Sequence, residues 1–137
     1  MSHTARMMIG VILIAVPSIQ YGGYFLLTSL VKPGSRYMEN PLRQNFFRAG
    51  HAHAGVFVIL SILCEFVADA ARLPLALEWF ARIGVPLAAI LVPAGFFFSM
   101  VSPSATRPNR AIGLIYTGAL ILAVSVVTLG VGLLRSL

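Results

Sequence analysis

Four apolar runs separated by short polar segments organise the chain: Met7 to Val31, Phe46 to Ala68, Ile83 to Val101 and Ala111 to Leu134. Each is long enough to cross about 30 Å of hydrocarbon as a helix. Two runs gain an N-terminal start signal. Asn40 before Pro41 reads as a cap followed by proline at the first helical position, and Pro108-Asn109 precedes the fourth run. The predicted helices are therefore about 7–31, 41–68, 83–101 and 110–134. Pro86 and Pro93, seven apart on one face of the third helix, are expected to bend it. The first run is too long for a signal-peptide core and has no Ala-x-Ala site after it, so it is expected to stay in the mature protein. No soluble domain, low-complexity segment or internal repeat interrupts the pattern. The fold class is all-α, an integral membrane four-helix bundle forming one transmembrane domain over residues 1–137.

Composition agrees with the pattern. The chain is 58% hydrophobic and only 10% charged, with a mean hydropathy of +0.90, whereas a soluble domain carries roughly 25% charged residues. The net charge of +6 does not point to nucleic acid, because the ten basic residues are scattered through short segments between spans. The side holding the first and third loops carries Lys32, Arg36, Arg43, Arg48, Arg107 and Arg110; the other carries Arg6, Arg72, Arg82 and Arg135. Charge counting places the richer side in the cytoplasm. The single cysteine, Cys64, sits inside an apolar run and reads as a small buried hydrophobe.

The chemistry concentrates in "NFFRAGHAHAGVFVIL", residues 45–60. An imidazole in hydrocarbon needs a partner. His51 and His53 are two residues apart, so on a helix they point about 200° from each other and cannot chelate one metal as an i, i+4 pair does. Each must serve a different neighbour. Gly50, Ala52, Ala54 and Gly55 lower the helix surface around them, which admits a neighbouring backbone or a flat macrocycle. A porphyrin needs that clearance and a neutral imidazole for its iron. Arg48, Arg43, Arg107 and Arg110 on the same side offer guanidinium forks for carboxylates, and Tyr24, Tyr116 and Phe96, Phe97 and Phe98 offer aromatic walls. Gln20, Tyr21 and Tyr24 are candidates to orient an imidazole by hydrogen bonding.

With "GHAHAGV" on the second of four helices, the chain resembles a single four-helix unit of haem-copper oxidase subunit I. That subunit has twelve helices in three such units, and its tenth helix, the second of its unit, carries two histidines binding different haems on opposite sides. The resemblance implies that His51 and His53 ligate haem, and that Arg107 and Arg110 meet its propionates. It extends to the four-helix order but to only about seven residues of motif. Nothing matches the further copper-site histidines or the cross-linked tyrosine, so oxygen reduction at a binuclear centre is not implied.

A lone unit implies a homo-oligomer, a trimer, with His51 of one copy and His53 of the next gripping one iron. The haem that the resemblance implies is expected to be of b type, since no C-x-x-C-H is present for covalent attachment. The expected cofactor-binding residues are His51, His53, Arg48, Arg107, Arg110, Gly50 and Gly55. The expected partners are further copies, the lipid bilayer and a redox partner, in a bacterial inner membrane. The resemblance puts the histidine side outside, the reverse of charge counting.

Two other classes compete with an electron-transfer protein. One is an accessory or assembly subunit whose histidines pack or hold copper or zinc; the other is a small transporter using His51, His53 and Glu65. Glu65 lies fourteen residues after His51, about 21 Å along the helix, and is expected at the opposite interface, paired with Asp69 or Arg72. His3 is expected in a free N-terminal tail. No nucleophile has a base beside it and no glycine loop cradles phosphate, which sets aside hydrolase and kinase chemistry.

Overall fold

The computed structural model describes residues 1–137 and is all-helical. Helices α1 (His3–Val31), α2 (Pro41–Ala68), α3 (Leu75–Ser99) and α4 (Gly113–Leu134) are joined by short connections, with 3₁₀ turns at Arg36–Glu39 and Arg110–Ile112. All four apolar segments are long enough to cross a membrane. Of 104 backbone–backbone hydrogen bonds, 90 lie inside helices, so little backbone is left unpaired where lipid could not satisfy it.

The starts follow the side-chain chemistry. Ser2 caps α1 by accepting the Ala5 N–H at 3.1 Å, so His3 is the first helical residue and not part of a free tail. Asn40 caps α2 by accepting the Arg43 N–H at 3.0 Å, with Pro41 in the first turn. The largest departure is α3, which begins at Leu75 and not near residue 83. Glu78 and Arg82 look like loop charges in a linear reading, but they are an i, i+4 pair inside the helix, joined at 3.0 Å. The helix continues through Pro86 and Pro93.

Each helix packs mainly on its neighbour in sequence, α1 on α2, α2 on α3 and α3 on α4, while α1 and α4 share no packed surface. The bundle is therefore an open row. Helix α3 is its most covered member and α1 its least. The α3–α4 seam is tight because glycines face it: an added Cβ at Gly118 would lie 2.7 Å from Val92 Cγ2, and one at Gly95 2.6 Å from Ile115 Cγ1. Close backbone approach of this kind is how helices gain packing energy where lipid removes the hydrophobic drive.

Two apolar clusters mark the two ends. Cys64, Ala68, Ala81, Val85 and Leu129 form one, so the cysteine does pack as a small hydrophobe; Leu26, Tyr37, Phe47 and Met100 form the other. The second end is further knitted by asparagine. Asn40 Nδ2 donates to Pro103 O and Ala105 O, each at 2.9 Å, and Asn109 Nδ2 donates to Phe98 O at 2.9 Å.

Candidate functional site

Both histidines of α2 fall toward the asparagine-tied end, and they face different neighbours. The half-buried ring of His51 lies against α1, where the sequence supplies two consecutive glycines. A Cβ on Gly23 would stand 3.1 Å from both Cε1 and Nε2 of His51, and one on Gly22 3.5 Å from Nδ1. The ring borders a groove of about 540 Å³ between α1 and α2, whose walls include Val16, Gln20, Gly55, Val58 and Ile62. That volume lies within the usual range for small-ligand sites. Neither His51 nor Gln20 has a hydrogen-bond partner in the chain, although Gln20 lies well inside α1 and faces outward.

His53 turns the other way. Its ring stacks on Phe96 of α3, with centroids 5.1 Å apart at 29°, and meets the edge of Phe57 at 5.4 Å. Its Nδ1 lies 2.7 Å from the carbonyl of Ala49, one turn back. A carbonyl only accepts, so Nδ1 carries the proton and Nε2 of the neutral ring keeps its lone pair. Fixing one nitrogen in this way is how proteins prepare the other as a metal ligand.

The expected supporting residues separate into groups. Gly55 faces open space and lines the His51 groove. Gly50 does not: a Cβ there would lie 3.0 Å from Phe96 Cβ, so its smallness serves the α2–α3 contact and gives a macrocycle no clearance. Arg48, Arg107 and Arg110 are exposed and make no ion pair. Arg43 is committed elsewhere, donating to Met100 O at 3.1 Å at the end of α3 and lying 4.5 Å over the Phe47 ring. Burial pushes the Tyr37 phenol up, opposed by Arg48 and Arg43 beside it.

The aromatic set also divides. Phe96 stacks on His53, Phe97 packs on Phe47 with centroids 5.0 Å apart, and Phe98, Tyr24 and Tyr116 point outward. Tyr21 and Tyr24 contact each other and hydrogen-bond to neither histidine. The orienting group for His53 is a backbone carbonyl, which no residue type announces. The signal for the His51 contact is the Gly22-Gly23 pair, two adjacent small residues that let a ring approach α1.

The other end carries a second polar cluster. Glu65 is neither exposed nor paired with Arg72; it is fully buried, and its Oε2 accepts from Arg82 Nη1 at 2.7 Å. Arg82, expected at the interface, lies inside α3 and is buried. It also donates to Asp69 at 2.8 Å and Glu78 at 3.0 Å. Asp69 additionally accepts from the Ser2 amide at 2.6 Å and hydroxyl at 2.7 Å. Burial opposes its charge, but the Ser2 and Arg82 donors outweigh that and hold the carboxyl at about 2, against an ordinary 3.8. Within one chain, no three His, Cys, Asp or Glu side chains come together in a metal-holding arrangement.

Comparisons with protein-family models, curated proteins and solved structures gave no match for this chain.

Proposed function

We propose that this membrane protein binds haem b through His51 and His53 and serves electron transfer. The observation that carries this reading is the pair of imidazoles on opposite faces of α2, each with an uncommitted nitrogen. His51 shares a lipid-open groove with an equally unpartnered Gln20, and His53 has its tautomer set by Ala49 O. Polar groups inside a membrane without partners are expensive, so a ligand that satisfies them is favoured. The donor set fits haem. His51 and His53 hold the iron, Gly55 leaves room at the groove, and the unpaired Arg48, Arg107 and Arg110 suit propionates at the interface.

Haem, when bound, supplies one-electron chemistry. The chain contributes apolar walls that exclude water, a His53 ring aimed by the Ala49 carbonyl, and a His51 ring seated against the Gly22-Gly23 stretch of α1. Because the histidines diverge, one chain presents one imidazole to each side, and a haem held by two histidines would take His51 from one copy and His53 from the next. A homotrimer in a bacterial inner membrane satisfies every such pair. Held by two imidazoles, haem would supply outer-sphere electron transfer with a redox partner.

The stack of His53 on Phe96 favours one alternative, an accessory or assembly subunit in which the histidines pack or transiently hold copper or zinc. Absorption spectra of the detergent-purified protein, expressed with ample haem supply, separate the two. A Soret band with sharp reduced bands, lost in His51→Ala or His53→Ala, is the expected result. A colourless, fully assembled protein would overturn the haem reading.

A further inference from the structure

The cluster away from the histidines holds three carboxyl groups around one guanidinium. Arg82, its side chain only 2% exposed, donates to Glu65, Asp69 and Glu78. The three acids are not equivalent. Asp69 spreads its charge over the Ser2 amide, the Ser2 hydroxyl and Arg82. Glu78 is 34% exposed and is reached by water. Glu65 has 0% exposure, and while its Oε2 accepts from Arg82, its Oε1 has no partner of any kind. An orphaned carboxylate oxygen in such surroundings carries a desolvation cost that a carboxylic acid largely avoids.

We propose that Glu65 Oε1 is a proton-binding site, loaded from the end of the bundle where Asp69 and Glu78 line a surface recess of about 550 Å³. The step is a simple protonation: an O–H bond forms at Oε1 as an O–H bond of hydronium at the recess breaks and leaves water, and the cluster loses one negative charge. Arg82 goes on donating to Oε2 in both states, so the site changes charge without losing the α2–α3 contact.

The charged and titratable groups around the site are Cys64 and Asp69 on the α2 side and Glu78 and Arg82 from α3. The Met1 amine reaches Asp69 at 3.9 Å. Helix α4 contributes no charged side chain; its Ser125, against Gly84 of α3, is likewise buried without a partner. Among these, Arg82 alone bonds Glu65, and it does so on the other oxygen. Nothing in the site involves His51 or His53, and its test needs no haem.

The test is infrared difference spectroscopy of the full-length protein in detergent across pH, in H₂O and D₂O. The expected result is a protonated-carboxyl C=O stretch at neutral pH that shifts in D₂O, disappears in Glu65→Gln, and persists in Asp69→Asn and Glu78→Gln. Should Glu65→Gln fail to fold, ¹³C-carboxyl glutamate introduced into the wild type and into a Glu39→Gln/Glu78→Gln variant, whose one remaining glutamate is Glu65, assigns the band instead. The band then moves with label in both proteins. Absence of any protonated-carboxyl band while the protein is folded, or a band that stays put with glutamate label, would overturn the proposal.

Discussion

Replacing Arg82 by methionine, which keeps an unbranched apolar stem and removes the charge, is the sharpest test of what holds the far end together. Three ion pairs are lost, and they are not worth the same. The Glu78 contact is an i, i+4 pair with one partner a third exposed, worth about 0.3–0.5 kcal/mol. Asp69 keeps both Ser2 donors, so its loss is partly covered. Glu65 keeps nothing, because its second oxygen is already without a partner. The bond from the Arg82 guanidinium to Glu65, charge-assisted even when the carboxyl is protonated, is worth about 1.5–3 kcal/mol, and this dominates. That is a factor of roughly 10 to 10² in the folding equilibrium. The assay is reversible unfolding in mixed micelles of lipid-like detergent and dodecyl sulfate, followed by circular dichroism. Adding Glu65→Leu to Arg82→Met removes the orphaned acid and should recover part of the loss, since apolar replacement of a whole buried pair is often neutral or stabilising. An Arg82→Met protein within about 1 kcal/mol of wild type, or a double variant less stable than the single one, would refute this account of the cluster.

Three further outcomes follow from named contacts. Asp69 has a folded-state value near 2, below its ordinary 3.8; a depressed carboxyl contributes stability above its unfolded value that is lost as pH falls through the folded one. Acid titration of thermal stability should therefore fall from about pH 3.8 toward 2, with a flatter limb in Asp69→Asn. Gly23→Leu would drive a side chain into the space beside His51 Nε2; haem content measured by pyridine haemochrome should drop severalfold while helicity is kept, and unchanged content would separate that groove from the haem site. Gly84→Val would overlap Ser125 across the α3–α4 seam and should cost about 1–3 kcal/mol in the same unfolding assay.

The membrane-length segments were legible because each is a long apolar run, and the caps at Asn40 and the α2 start were legible because asparagine before proline has a local mechanism. The α3 start was not. Its first turns carry Glu78 and Arg82, and a linear hydropathy reading treats a charge as an end to a span; only the partners on α2, seventeen and thirteen residues away, show why those charges are tolerated inside the helix. Helical spacing gave the divergence of His51 and His53, because 100° per residue is a property of the backbone. It did not give the surfaces they meet. Gly50 and Gly55 look alike in the sequence, yet one is filled by Phe96 and Phe97 and the other faces open space. That difference is set by which helix comes next in the row, a tertiary fact with no local code.

The two ends therefore handle their polar groups in opposite ways, and the difference bears on function. In hydrocarbon each polar side chain is a cost that must be met by a partner. Around Arg82 the chain meets it internally: one cation, three carboxyl groups and the Ser2 cap tie α1, α2 and α3 together, leaving one oxygen over. At the histidine end it does not. His51 and Gln20 share a groove without a bond, His53 keeps Nε2 free, and the basic side chains Arg48, Arg107 and Arg110 meet no acid, while the single carboxylate there, Glu39, is already engaged by Arg36 at 2.9 Å. Loose guanidinium groups are not peculiar to that end, since Arg6, Arg72 and Arg135 at the other also meet no acid. What distinguishes the histidine end is the pair of half-buried imidazoles with uncommitted nitrogens inside the span, and the haem proposal rests on these.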